Sequence, residues 1–111
     1  MQREVKKYLF DILSCIDNIE TFISSPKIFE DYKNNIMLQH AVERNIEIIG
    51  EAVNNLLKMY PEINITNARR MVDARNKIIH GYDGIQPEQI WNIIINHLPS
   101  LQIEVQKLLG N

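Results

Sequence analysis

The sequence predicts an all-α fold, an up-down helical bundle of four to five helices formed by a single domain over residues 1–111. Three observations predict it. Apolar residues recur at spacings of three and four through long stretches, and no stretch alternates convincingly as a strand does. Glycine and proline number only four each and fall mostly at segment edges, which favours long helices over many short strands. A chain of 111 residues supports one modest hydrophobic core and not two.

Val5, Leu9, Ile12, Ile16, Ile19 and Ile23 form a sustained seam for a first helix over about Glu4–Ser24, with Tyr8, Leu13 and Phe22 on its flanks. Ser24-Ser25-Pro26 ends it, and Ser25 is placed to cap a short helical turn over Pro26–Asp31. A second long helix is predicted over about Lys33–Tyr60. Its wide stripe includes Ile36, Ala41, Val42, Ile46, Ile49, Val53 and Leu56, which suits packing on more than one neighbour. Gly50 interrupts that helix at a cost of roughly 1 kcal/mol relative to alanine, and close approach by another helix is the reason to keep it.

Thr66 or Asn67 can cap a third helix over about Ala68–Ile79, with Ala68, Val72, Arg75 and Ile79 on one stripe. Gly81 suits the left-handed position after it, and Asp83-Gly84 signals a turn. Pro87 begins a fourth helix carrying Ile90, Trp91, Ile94, Ile95 and Leu98. Pro99 either kinks it or separates off a last segment with Leu101, Ile103, Val105 and Leu108. These apolar faces together exceed what a bundle of this size hides, which predicts a self-associating surface and a two-fold homodimer.

The formal charge of -2 and pI near 5.9 exclude nucleic-acid binding through global charge, so any polyanion site must be a local basic patch. Cys15 is the only cysteine, which leaves no intramolecular disulfide and no cysteine metal cluster; its place in the first helix predicts a small buried side chain. No apolar run is long enough to span a membrane, and the charged start Met1-Gln2-Arg3-Glu4 does not read as a signal peptide. The expectation is a soluble cytoplasmic protein.

Hydrogen-bonding chemistry gathers in Ala74-Arg75-Asn76-Lys77-Ile78-Ile79-His80-Gly81-Tyr82. Arg75 stands on a stripe that should be apolar, so it needs a partner. That partner is either a carboxylate (Glu47, Glu51 or Asp73) or a phosphate, which its planar donor array fits. His80 suits the dipole of a helix end, and it also titrates where a general acid or base must. Five residues turn an α-helix by a net ~140°, so Arg75 and His80 do not share a face of a regular helix. Either the last turn departs from α geometry or both side chains border a cleft shared with a second subunit. Arg69, Arg70 and Lys77 supply a local basic cluster that with Arg75 and His80 can attract phosphate, explained equally well as a solvated face. Glu43, Glu47 and Glu51 form a carboxylate ladder on the second helix, and Arg44, Glu47 or Glu51 can support Arg75. Glu-x-x-His pairs, His-Glu-x-x-His, glycine-rich phosphate loops and Gly-x-Ser-x-Gly elbows are all missing, so neither a metal site nor a cofactor is expected.

Arg75, four residues, His80, one residue, Tyr82 resembles the signature of the HEPN superfamily, specifically its HepT-like toxins. The stretch from Ala41 to Ala52 resembles that family's second helix. Trp91 with Ile93-Ile94, then Leu98-Pro99-Ser100-Leu101, resembles its C-terminal part, so the likeness covers roughly Leu38–Leu109. The resemblance implies a HEPN-like dimer with the Arg-His motifs lining an interface cleft, acting as a metal-independent endoribonuclease toxin. It implies that His80 handles protons, that Arg75 stabilises phosphoryl charge and that Asn76 assists positioning. It also implies a minimal nucleotidyltransferase antitoxin that transfers AMP to Tyr82. Gly81 occupies a position that is often polar in relatives, which bears on the local backbone and not on the motif. The alternatives are a non-catalytic HEPN partner that binds nucleotide or substrate for a nucleotidyltransferase, and a purely structural dimerising bundle.

Overall fold

Helix α1 (Arg3–Ile23) buries the seam expected of it, Val5, Leu9, Ile12, Ile16 and Ile19, together with Cys15. Ile23 is only partly covered, because the helix ends there at Ser24. The computed structural model describes residues 2–81 and 85–110. Tyr82 and the Asp83-Gly84 turn therefore lie outside the described residues.

The short second helix, α2 (Phe29–Lys33), forms later in the chain than Ser25-Pro26 suggested. Ile28 stands at its N-cap with no side-chain hydrogen bond, so Ser25 does not cap it. Its position is set by tertiary contact: the rings of Phe29 and Tyr32 pack tilted against Trp91, far along the chain, with centroids at 5.8 and 5.6 Å. Helix α3 (Ile36–Met59) starts after the expected Lys33 because the Asn35 side chain accepts the Leu38 amide at 3.0 Å, an effective N-cap.

Helices α1 and α3 pack antiparallel. Asn18, late in α1, donates to Asn45, early in α3, at 3.0 Å, whereas Val5 borders the same depression as Met59. Asn45 is buried yet satisfied, since its own amide donates to the Ala41 carbonyl at 2.9 Å. The buried stripe of α3 comprises Val42, Ile46, Ile49, Ala52, Val53 and Leu56, and the terminal candidates Ile36 and Tyr60 are exposed.

Helix α4 (Ala68–His80) is capped by backbone geometry and not by side chains. Asn67 makes no capping hydrogen bond, and Thr66 turns instead to Glu104, its hydroxyl donating at 2.6 Å and its amide at 3.0 Å. The negative charge of Glu104 thus sits beside the N-terminus of α4, where a helix dipole favours it. At the other end Gly81 adopts φ +64° and donates to the Lys77 carbonyl at 3.2 Å, the left-handed cap expected of it.

Helix α5 (Pro87–Asn96) opens on a reciprocal capping box between Gln86 and Gln89, with Pro87 in its first turn. It stops at His97, and α6 (Leu98–Leu108) begins anew with Pro99 in its own first turn. Pro99 thus separates two helices. This break and α2 bring the total to six helices among the described residues, more than the four to five expected, in the same all-helical class with no strand. Among the described residues no helix is long and apolar enough to cross a membrane. Phe10, Ile36, Met37 and Ile103 remain more than half exposed on the single chain.

Gly50 is where α4 meets α3. A Cβ built there would overlap the Cβ of Arg75 and lie 2.7 Å from the Met71 carbonyl oxygen, so only glycine admits this backbone approach. Gly50→Ala gains ~1 kcal/mol of helix propensity but must push the two helices apart, at an overpacking cost of ~1–3 kcal/mol or more. The expected result in urea denaturation is a lower midpoint with an unchanged slope. A stabilised variant would contradict the contact.

Candidate functional site

Arg75 leaves α4 at its crossing with α3, and its side chain runs over Gly50 toward the carboxylates of α3. Its Nη2 lies 2.6 Å from Glu51 Oε2, and its Nη1 donates to Asn76 Oδ1 at 3.1 Å. The carboxylate partner anticipated for Arg75 is therefore Glu51. Glu47 is engaged elsewhere, accepting from Arg44 at 3.1 Å, and Asp73 faces a different groove. The guanidinium borders an open depression of about 380 Å³ that also takes in Lys7, Asp11, Arg44, Glu47 and Glu51.

The charges in this depression cancel. Lys7 pairs with Asp11 at 3.0 Å, Arg44 with Glu47 and Arg75 with Glu51, so each cation has its own carboxylate. A phosphate reaching Arg75 must compete with Glu51, whose side chain is 49% exposed and so has room to swing into solvent. Asn76 uses its carbonyl oxygen on Arg75, which turns its amide nitrogen outward as a donor.

The last turn of α4 keeps α geometry through His80. The ~140° between Arg75 and His80 therefore stands, and the first of the two geometric options, a distorted last turn, is not realised. Arg75 is drawn to the α3 side of α4, half-buried, and His80 is exposed near the other flank. Ile79, placed on the buried stripe by sequence, is 42% exposed between them, whereas Ala68 and Val72 of that stripe are buried, with Met71 and Ala74 beside them. Of the sequence-derived residues, the structure brings together Arg75, Asn76, Glu51, Glu47 and Arg44. Regular helix geometry sets His80 ~140° around α4 from Arg75, and Tyr82 lies outside the described residues.

Arg69, Arg70 and Lys77 are all exposed on α4. Arg70 and Lys77 line a separate groove of about 430 Å³ with Asp73 and with Gln89, Asn92 and Ile93 of α5. Sequence reading missed the α5 residues, since nothing local marks Gln89 or Asn92 as facing α4. Burial, helped by the nearby charge of Arg70, pushes the His97 imidazole below the usual histidine range. Burial likewise raises the carboxyl of Glu43, the member of the α3 ladder that has no part in the Arg75 network. Among the described residues, no three His, Cys, Asp or Glu side chains converge as they would to hold a metal ion.

The fold is that of a small all-helical domain with an arginine-centred polar network, and comparison with known proteins gives the family. Residues 12–108 match the family described as ribonuclease HepT-like, and the chain belongs to it. A Thermococcus cleftensis protein named "Probable ribonuclease HepT" is 38% identical over 97% of this chain and 98% of its own. "Putative RNase MJ0127" of Methanocaldococcus jannaschii is 34% identical over 97% of this chain and 89% of its own. "Putative RNase TTE0752" of Caldanaerobacter subterraneus subsp. tengcongensis is 37% identical over 73% of each chain. No solved structure gives a significant match.

The Arg75–Glu51 pair is partly exposed on both sides, so its contribution to stability is small, about 0–1 kcal/mol. Glu51→Gln is expected to shift the urea midpoint little. A loss above ~2 kcal/mol would show instead that the pair, and not the Gly50 contact, holds α4 on α3.

Proposed function

We propose that the chain is the toxin of a toxin-antitoxin pair, a metal-independent endoribonuclease that acts in the cytoplasm as a homodimer. The family supports cleavage of RNA. The observation that carries the dimer is the divergence of Arg75 and His80 around a regular α4, which leaves one chain with half of each function on either side of the helix. A second copy meeting the exposed Ile79 flank supplies the other half.

In this reading His80 takes the proton of an RNA 2′-hydroxyl as its oxygen attacks the adjacent phosphorus. The P–O5′ bond breaks, leaving a 2′,3′-cyclic phosphate, and the departing 5′-oxygen takes a proton from the His80 of the second copy. Arg75, once released from Glu51, stabilises charge on the phosphoryl oxygens, and the outward amide of Asn76 orients the phosphate. Arg69, Arg70 and Lys77 attract the strand. Glu51 holds Arg75 in place until RNA arrives, and Arg44 keeps Glu47 from competing for it.

A minimal nucleotidyltransferase is the antitoxin in this proposal. The Tyr82 hydroxyl attacks the α-phosphorus of ATP and pyrophosphate leaves. The AMP adds bulk and negative charge beside the motif and repels RNA. The second reading is a non-catalytic partner of such a transferase, and the occupation of Arg75 by Glu51 is what favours it.

The two readings part on activity. The wild-type chain is expected to cut RNA in the presence of chelator and leave 2′,3′-cyclic phosphate ends, and His80→Ala is expected to lose at least ~100-fold. Strict dependence on a divalent metal, or an equally active variant, rules the mechanism out. Intact mass after co-expression with a neighbouring nucleotidyltransferase should show AMP on the wild type and none on Tyr82→Phe.

A further inference from the structure

The α4/α5 groove is electrostatically unlike the depression around Arg75. Among the described residues, neither Arg70 nor Lys77 is in an ion pair, although Asp73 lies at pairing distance in sequence from both. In a chain of net charge -2, Arg70 and Lys77 line one groove with the single carboxylate of Asp73 among its described lining, opposite two carboxamides. Ala74, Ile85 and Ile93 give the groove an apolar part beside its polar side chains, and its 430 Å³ falls within the ~300–1,000 Å³ of small-ligand clefts.

The carboxamides are held in place. Gln89 accepts the Gln86 amide through Oε1 at 2.9 Å, which leaves its Nε2 to donate into the groove. Asn92 accepts from Asn96 at 2.6 Å and approaches His97 Nε2 at 3.4 Å, so its side chain is fixed as part of the wall. A fixed donor beside apolar side chains suits a flat heterocycle with acceptors on its edge, and the Arg70 and Lys77 cations suit the phosphate attached to it.

Position relative to His80 identifies the source of such a group. Lys77 precedes His80 by three residues, ~60° around α4 and ~4.5 Å along it, so the groove opens on the flank next to His80 and away from Arg75. A strand whose scissile phosphate lies at His80 passes its neighbouring nucleotide over Lys77.

We propose that the α4/α5 groove is a nucleotide subsite for single-stranded RNA, with phosphate held by Arg70 and Lys77 and the base set on Ile85 and Ile93 under the Gln89 amide. The assignment rests on the ribonuclease reading, and its test does not need cleavage. A short 2′-O-methylated single-stranded RNA, which lacks the attacking hydroxyl, is titrated into the ¹⁵N-labelled full chain, with 5′-AMP and inorganic phosphate as separate arms. The expected result is saturable shifts at the Gln89 side-chain amide and at the backbone of Arg70, Lys77 and Ile93. Arg70→Glu and Lys77→Glu, each with an unchanged thermal melt, are each expected to weaken oligonucleotide binding about tenfold or more. Gln89→Ala is expected to alter the preference among homopolymeric oligonucleotides. Shifts confined to other surfaces, or charge-reversed variants that bind as the wild type does, overturn the subsite. Tighter binding of 5′-AMP than of the oligonucleotide assigns the groove to a free nucleotide and overturns it as an RNA subsite. Groove binding by a chain that cuts no RNA keeps the subsite and removes the ribonuclease reading; cleavage with no groove binding does the reverse.

Discussion

The contact of α4 with Gly50 is the constraint on which the rest of the structure depends. Because position 50 lacks a Cβ, the Met71 carbonyl and the stem of Arg75 come down onto the backbone of α3. At that separation the Arg75 guanidinium overhangs the edge of α3 and meets Glu51, one residue beyond the glycine. A larger residue at position 50 would lift α4 and withdraw Arg75 from Glu51. The same crossing fixes the rotation of α4 about its axis. With Arg75 drawn to one side, the regular geometry of the helix carries His80 and Lys77 to the other.

Two electrostatic environments follow on opposite flanks of one helix. On the Arg75 side every lining cation is matched by a carboxylate, and a phosphate there must exchange with Glu51. On the Arg70–Lys77 side, where Asp73 is the lining carboxylate, neither cation is ion-paired among the described residues, and the facing helix presents carboxamides. A net charge of -2 conceals this division, because most of the chain's acidic residues lie away from the second groove. Charge distribution, and not total charge, decides where a polyanion can settle.

Where sequence and structure part, tertiary contact is the cause. The short helix α2 forms against Trp91 and not at Ser25-Pro26, because aromatic burial outweighs a cap. Thr66 gives up a capping role for the carboxylate of Glu104 on α6. Ile79 falls on the stripe that buries Ala68 and Val72 but is exposed, since it lies in the last turn of α4, beyond the contact at Gly50. At α2 and at Thr66 a partner distant in the chain displaces the local one.

Legible in the residues alone were the helical class, the seam of α1, the close approach at Gly50 and the left-handed cap at Gly81. These depend on periodicity, on the absence of a side chain or on residues near one another in the chain, so local reading reaches them. Only the tertiary structure decided which of three carboxylates takes Arg75, that Arg44 claims Glu47, and that Gln89 and Asn92 face Arg70 and Lys77. Those choices turn on how helices remote in sequence are rotated and spaced, which follows from packing the whole core and is written in no single segment.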